Sequence, residues 1–165
     1  MPDRAIILIV EDQEDDIFLI RKAFKKAGVI NPIHIARDGQ EAIEYLNGEG
    51  KYAHRDEYPL PELILMDLKM PRVDGYQVLQ WLRQQPGIAE IPVIVLTSTE
   101  QIREINYAYT LGANSFLVKP GDFNDYKALA ENLHAYWIKT SRRPECSRPP
   151  KQRKDTDALA RKRVT

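Results

Sequence analysis

Apolar residues along the chain alternate between short continuous runs and longer segments with helical spacing. The continuous runs have the length and β-branched composition of strands that are buried on both faces of a parallel sheet. They cover Ala5–Val10, Ile33–Ala36, Leu63–Met66, Ile91–Leu96 and Ser115–Val118. The segment after each run carries apolar residues at every third or fourth position. This spacing predicts an amphipathic helix after each strand.

Strands that alternate with helices predict an α/β fold. Consecutive parallel strands require right-handed crossovers, and these place helices on both faces of the sheet. We therefore expect a doubly wound five-stranded parallel sheet with flanking helices. Functional side chains of such folds lie beyond the carboxyl ends of the strands. The residues directly after each strand are thus the candidates for chemistry.

Polar residues follow four of the predicted strands. Glu11 and Asp12 follow the first strand, and Asp67 follows the third. Thr97 follows the fourth strand and Lys119 follows the fifth. An acid after a strand is by itself typical of a helix cap or a solvated loop. Their joint placement at one edge of the sheet indicates a single site.

Three carboxylates in one pocket need a counter-charge. At a separation of about 4 Å and an effective dielectric near 20, each pair repels by about 4 kcal/mol. Mg²⁺ satisfies such a set, since it binds carboxylates, water and phosphate oxygens. An aspartate can also act as a nucleophile toward phosphorus and form an acyl phosphate. The cation, an ammonium group and a hydroxyl group would then stabilise the transferred phosphoryl group.

Four motifs surround these residues: ILIVEDQEDD (7–16), LILMDLKMPRVDGYQVL (63–79), IPVIVLTS (91–98) and SFLVKP (115–120). With them the chain resembles, over about residues 4–138, the receiver domain of two-component response regulators. The resemblance implies a flavodoxin-like sheet with strand order 2-1-3-4-5. It also implies a phosphoryl group accepted from a sensor histidine kinase. The only catalysis it implies is the protein's own phosphorylation and dephosphorylation.

The resemblance assigns roles in the acidic pocket. It implies that Asp67 is the phosphoacceptor and that Asp12 and Asp67 bind Mg²⁺, or Mn²⁺ in its place. The backbone carbonyl of Lys69 would join them, and Glu11 would complete the pocket through water. Lys69 and Thr99 match family positions that tune dephosphorylation, although plain exposed residues would look the same.

The resemblance also assigns the phosphoryl contacts and the switch. Thr97 and Lys119 would contact the phosphoryl group, and Ser98 is small enough to allow access. Phe116 matches the aromatic residue that changes rotamer when Thr97 moves. Pro120 matches the family's cis proline, which would aim Lys119 inward.

The end of the chain differs from the rest in charge. Residues 139–165 carry ten basic and three acidic side chains, a net charge of +7, so residues 1–138 carry −7. We predict a receiver domain over 1–138 and a basic tail over 139–165. The tail is expected to be solvated and flexible, with a short helix over 155–164 as an alternative. Its clustered basic residues would also allow a nucleic-acid arm, but we do not expect a nucleic-acid partner.

Other features limit the compartment and the chemistry. The single Cys146 excludes an internal disulfide framework and a zinc site with several cysteines, and we expect an exposed thiol. No apolar run approaches the about 20 residues of a membrane span, and the N-terminus lacks a signal peptide. We therefore expect a cytoplasmic protein without a membrane partner.

The expected output is contact with another protein, because the tail is too short and too polar for a DNA-binding domain. The long loop Glu49–Glu62 and the ending SFLVKP-x-D-F resemble small response regulators of phytochrome-type histidine kinases. In that group a homodimer often forms through helix four, strand five and helix five. Aromatic residues of this region suit an interface core, although they could instead cover the sheet. The interface candidates are Tyr107, Phe123, Tyr126 and Trp137.

Three alternatives remain at this stage. A phosphorelay intermediate would pass its phosphoryl group to a histidine-containing domain, and the sequence does not distinguish it from a terminal switch. A phosphohydrolase would place a D-x-D motif after the first strand, where this chain has Glu11-Asp12-Gln13-Glu14. A nucleotide- or flavin-binding domain would need a glycine-rich loop after that strand, and the chain has none there.

Overall fold

Strands and helices alternate through residues 1–151, which are the part of the 165-residue chain that the computed structural model describes. The strands are β1 (Ile6–Val10), β2 (Ile33–Ala36), β3 (Pro61–Met66), β4 (Val93–Thr97) and β5 (Ser115–Val118). The α-helices are α1 (Glu14–Lys26), α2 (Gly39–Asn47), α3 (Gly75–Leu82), α4 (Ile102–Thr110) and α5 (Phe123–Leu133). A 3-10 helix, Gly50–Ala53, precedes β3, and a π-helical segment, His134–Thr140, extends α5.

All five strands run parallel in the order β2-β1-β3-β4-β5, which confirms the predicted sheet. The register pairs Val10 of β1 with Met66 of β3, and Met66 with Val95 of β4. The strands therefore end almost level with one another. This alignment brings the residues that follow β1, β3, β4 and β5 to one edge of the sheet.

Side chains of the central strands alternate between two buried layers. Leu8 and Val10 of β1 pack on the face that α2 and α3 cover. Ile7 and Ile9 pack on the opposite face, with apolar residues of α1 and α5. Because β1 is buried on both faces, its sequence is a continuous apolar run and not an alternating one.

Local side chains cap the starts of α2 and α3. Asp38 caps α2 by accepting a hydrogen bond from the backbone N–H of Glu41. Asp74 and Gln77 form a reciprocal capping box at the start of α3. Such caps satisfy backbone donors that lack partners inside the helix. None of the helices in residues 1–151 is both long and apolar enough to cross a bilayer.

The predicted loop over residues 49–62 is more ordered than its polar sequence suggests. Tyr52 lies in the 3-10 helix, and its ring packs against Tyr45 and Tyr58. Arg55 donates hydrogen bonds to the backbone carbonyls of Tyr45 and Leu46, at the end of α2. The segment thus closes one side of the sheet, because its aromatic rings join the core beside α2.

The first part of the basic tail, residues 141–151, is exposed over most of its length but contacts the domain through several side chains. Arg143 donates to the backbone carbonyl of Glu62, and Arg148 donates to the carbonyl of Pro86. Cys146 is half-buried against the core and is not the exposed thiol that we expected. The physical reason is that the guanidinium groups are hydrogen-bond donors to backbone carbonyls as well as charges.

The remaining tail residues, 152–165, lie outside the described part of the chain. The alternative of a short helix over 155–164 falls there, as do five of the ten basic residues that would form a nucleic-acid arm.

Candidate functional site

Three carboxylates meet at the carboxyl edge of the sheet. Glu11 and Asp12 directly follow β1, and Asp67 directly follows β3. Each offers one oxygen atom, and these three atoms lie within 4.8 Å of one another. Glu11 and Asp67 are buried, with 2% and 6% of their surface exposed, while Asp12 is half-buried. The structure thus brings together the three acids that the sequence places at strand ends.

Backbone contacts hold these acids in place. The N–H of Asp67 donates to the carbonyl of Val10, and the N–H of Glu11 donates to the carbonyl of Ala36. Gly75, at the start of α3, lies directly against Asp67. A Cβ atom at this position would stand 2.2 Å from the backbone oxygen of Asp67. Only glycine therefore allows α3 to begin so close to the end of β3.

Lys119 reaches into the acidic pocket and contacts three carboxylates. Its Nζ atom is 2.8 Å from Asp16 Oδ2, 2.9 Å from Glu11 Oε2 and 3.0 Å from Asp67 Oδ2. Its side chain is only 10% exposed. Burial alone would lower the pKa of Lys119, but hydrogen bonds to Asp16 and Glu11 and the charge of Asp67 raise it above 10.5. Lys119 is therefore a fixed positive charge in this pocket.

Glu11 is the acid on which burial acts most strongly. Burial raises the pKa of Glu11 from 4.5 to about 7. The hydrogen bond from Lys119 opposes this change, and the negative charge of Asp67 adds to it. Glu11 therefore holds its proton more readily than an exposed carboxyl group does.

Two buried oxygen atoms in the pocket have no hydrogen-bond partner among the described residues. They are Oδ1 of Asp12 and Oγ1 of Thr97. An unpartnered buried oxygen is costly unless a ligand satisfies it. An oxygen-only set that includes such a carboxylate oxygen has the chemistry of a Mg²⁺ or Mn²⁺ site. The cluster of Glu11, Asp12 and Asp67 thus fits a divalent cation.

Lys69 and Thr99 lie at the mouth of the pocket and share one partner. Thr99 donates from its hydroxyl group to Glu104, and Lys69 Nζ lies 3.4 Å from the same carboxylate. The backbone N–H of Lys69 donates to Asp67 Oδ1 over 3.3 Å. Its carbonyl as a cation ligand stays a prediction. Ser98 is exposed beside them, and its role in access to Thr97 stays a prediction.

The prediction of a cis peptide bond before Pro120 is wrong. No peptide bond in the described residues is cis. The trans form is favoured by about 0.5–1 kcal/mol before proline, and the ammonium of Lys119 reaches its carboxylates with it. Phe116 is half-buried on β5, opposite Val95 of β4. Its rotamer change stays a prediction.

The predicted interface residues differ in exposure. Tyr126 is only 3% exposed and packs in the core between α1 and α5, so it is not an interface residue. The aromatic ring is needed there to cover the sheet, which was the alternative explanation. Phe123 and Trp137 are half-buried, and Tyr107 is 48% exposed. Tyr107 contacts Tyr76 with 5.0 Å between ring centroids.

Asp16 is the site residue that the sequence analysis did not identify. It lies in the first turn of α1, where acidic residues are common because of the helix dipole. The signal that could have identified it is its spacing. Asp16 comes only four residues after Asp12, so it also lies near the end of β1.

Comparison with known proteins identifies a family whose model covers the residues of this site. Residues 7–131 match the family model of the response regulator receiver domain. The chain is 37% identical over 145 residues to the probable methanogenesis regulatory protein FilR2 of Methanothrix harundinacea, covering 86% of this chain and 89% of that protein. It is 33% identical over 135 residues to the response regulator Rcp1 of Synechocystis, covering 82% of this chain and 90% of Rcp1.

Solved structures agree with the fold. Response regulator RPA3017, in red light signaling of R. palustris, superposes with a TM-score of 0.81 at 32% identity, over 85% of this chain and 98% of that one. The phosphorylated cyanobacterial phytochrome response regulator RcpA gives 0.79 at 32% identity, over 86% and 99%. The Mn²⁺-bound form of Rcp1 gives 0.76 at 32% identity, over 85% and 99%.

Proposed function

The chain belongs to the response regulator receiver domain family, and from this premise we propose that it accepts a phosphoryl group on Asp67 from a sensor histidine kinase. The observation that carries the proposal is the position of Asp67. Its Oδ2 atom is 3.0 Å from Lys119 Nζ, in a pocket with an unpartnered oxygen of Asp12. This is a nucleophile held beside a positive charge and a cation site.

The proposed step forms a bond between a carboxylate oxygen of Asp67 and phosphorus. The phosphorus–nitrogen bond of the phosphohistidine donor breaks, and its nitrogen keeps the electron pair. Lys119 and the hydroxyl group of Thr97 would donate hydrogen bonds to the phosphoryl oxygens. Thr97 is fully buried, and its carbonyl accepts a hydrogen bond from the backbone N–H of Lys119 over 2.8 Å. That contact would hold both donors in a fixed relation.

We propose Mg²⁺ as the cation, with Mn²⁺ as a substitute, held by Asp12, Asp67 and the backbone carbonyl of Lys69. When bound, such a cation offsets charge on the carboxylates and on the transferring phosphoryl group. The Mn²⁺-bound form of the similar Rcp1 supports an oxygen-ligand site of this kind. Glu11 would contribute charge through water.

We propose a phytochrome-type kinase as the partner, because RcpA is a phytochrome response regulator that superposes over most of the chain. The output would be protein contact, with homodimerisation through α4, β5 and α5. Exposed large apolar and aromatic residues of α4 and of the segment that extends α5 support it: Ile102, Tyr107, Tyr109 and Tyr136 are 47–70% exposed. Half-buried Phe123 and Trp137 would lie beside them, and Tyr126 is left out because it is buried.

The phosphorylation experiment uses the full chain with acetyl phosphate or a phosphorylated histidine kinase, with and without Mg²⁺. Asp67→Asn should abolish incorporation, because the amide is not a nucleophile toward phosphorus. Asp56→Asn is the matched control, since Asp56 is exposed. Label retained in the Asp67 variant would refute the assignment.

The dimer is tested by sedimentation with and without beryllofluoride as a phosphoryl mimic. Thr97 and Phe116 lie on the strands next to α4 and α5, so we expect the mimic to change dimer affinity. A monomer in both states would exclude the dimer. Equal affinity in both states would exclude the coupling.

A further inference from the structure

Lys119 has one more partner than the proposed function uses. Its ammonium group has three N–H donors, and three carboxylates lie within hydrogen-bond distance of it. The shortest of these contacts is to Asp16, at 2.8 Å. Asp16 is on α1 and is not one of the three clustered acids of the cation site.

The other two partners of Lys119 lie in the cation site. Glu11 and Asp67 belong to the acid cluster that fits a cation, and their contacts to Lys119 are 2.9 Å and 3.0 Å. An ammonium group that bound only these two would compete with the cation for the same oxygens. A third carboxylate outside the cluster offsets part of its charge and holds it to one side.

We propose that Asp16 is a positioning residue for Lys119. It holds the ammonium group on the α1 side of the pocket, so that Asp67 stays available to the cation and to the phosphoryl donor. The inference rests on the proposed function of the site. It adds a reason why the Lys119 ammonium group contacts a third carboxylate besides those of Glu11 and Asp67. Asp16 acts through Lys119 and does not itself touch the reacting atoms.

A helix-dipole role alone does not explain the contact. Glu14, Asp15 and Asp16 all lie in the first turn of α1 and serve the dipole equally well. Of the three, Asp16 reaches Lys119, whereas Glu14 pairs with Arg37. Asp15 is exposed. Asp15 therefore offers a matched control with the same charge on the same helical turn.

The first experiment measures Mg²⁺ affinity of the full chain by calorimetry. We expect Asp16→Asn to lower the affinity by about threefold or more, because Lys119 then binds Asp67 more closely. Asp15→Asn should change it by less than about twofold, since only a distant charge is lost. Asp16→Glu, which restores a carboxylate, should recover most of the affinity. Equal effects of the two asparagine variants would overturn the proposal.

The second experiment separates action through Lys119 from the direct charge of Asp16. In a Lys119→Met background, Asp16→Asn should have no larger effect on Mg²⁺ affinity than Asp15→Asn. An effect that kept its full size in this background would overturn the proposal. In the metal-free protein, the ¹⁵N resonance of the Lys119 ammonium should shift in Asp16→Asn and stay in place in Asp15→Asn.

These results are distinguishable from failure of the proposed function. If Asp67 still accepts phosphate while the Asp16 and Asp15 variants behave alike, the positioning role is wrong and the proposed function stands. If Asp67 accepts no phosphate while the Asp16 variant alone weakens Mg²⁺ binding, the positioning role stands for the cation site.

Discussion

The buried carboxyl group of Glu11 predicts an unusual pH dependence of stability. Burial raises its pKa from 4.5 to about 7 in the folded protein. Between these two values the folded state holds the proton while the unfolded chain releases it. The free energy of unfolding of the metal-free protein should therefore decrease as the pH rises from about 4.5 to about 7, and this contribution should be constant above.

The size of the effect follows from the pKa difference. Each unit of pKa corresponds to about 1.4 kcal/mol, so a change from 4.5 to about 7 gives at most about 3 kcal/mol. Glu11→Gln places a neutral amide of the same shape in the pocket. The variant should lack this decrease and should be more stable than the parent at about pH 8. Saturating Mg²⁺ should also remove the decrease, because the cation favours the carboxylate form.

The assay is urea unfolding in the presence of a chelator, from about pH 5 to about pH 8. Glu100→Gln is the matched control, because Glu100 is exposed near the same edge of the sheet. We expect the control to follow the parent at every pH. If the curves of the parent and of Glu11→Gln run parallel across this range, the reasoning about the buried carboxyl group is refuted.

Three further predictions concern other residues. Burial lowers the pKa of His34 below 6.5, so the contribution of His34 to the free energy of unfolding should fall as the pH drops below that value, opposite in sign to the contribution of Glu11. The difference in unfolding free energy between the parent and His34→Gln should therefore decrease in urea titrations at falling pH, and a difference that stays constant would contradict it. Lys119→Ala should leave a protein that still accepts phosphate, but phosphorylation should no longer change its dimer affinity in sedimentation. Loss of phosphate labelling with normal Mg²⁺ binding would give Lys119 a catalytic role. Arg148 donates hydrogen bonds to Pro86, Asn47 and Gln85, so Arg148→Ala should lower the free energy of unfolding in urea by about 1–3 kcal/mol. Arg142 is exposed, and Arg142→Ala should leave this free energy unchanged. Equal free energies of unfolding for the two variants would show that residues 141–151 contribute little to stability.

Most of the fold could be predicted from the sequence, because each strand is a short apolar run that polar or turn residues separate from the next segment. β2 and β5 begin and end where the pattern predicts, while β4 begins and ends later. Ile91 and Pro92 are buried without belonging to the strand, so burial alone does not mark where the ladder starts. Boundaries of this kind depend on backbone pairing, which hydropathy does not report.

The site residues that directly follow strands could be predicted from the sequence. Glu11, Asp12 and Asp67 follow strands, and sheet register determines that they meet. Asp16 could not be identified this way, because its contact depends on which side of α1 faces the end of β5. Tyr126 was misassigned for the same reason, since its burial is decided by the packing of α5 on α1 and not by its residue type.

The contacts of the basic tail with the domain could not be predicted from the sequence, for a different reason. Basic residues predict a solvated segment by composition, but Arg143 and Arg148 donate to backbone carbonyls of the domain. Those acceptors, at Glu62 in β3 and at Pro86, come within reach of the arginine side chains only after the chain has folded. Long-range hydrogen bonds of this kind have no local signature in the sequence.

The central claim is that Asp67 carries the phosphoryl group. Its most direct test is chemical mapping of the acyl phosphate. The full chain is incubated with acetyl phosphate and Mg²⁺ and then reduced with borohydride, which converts a phosphorylated aspartate to homoserine. Mass spectrometry of the peptides should find homoserine at position 67 alone, and none when Mg²⁺ is chelated. Homoserine at Asp12 or Asp16, or at no position, would contradict the account.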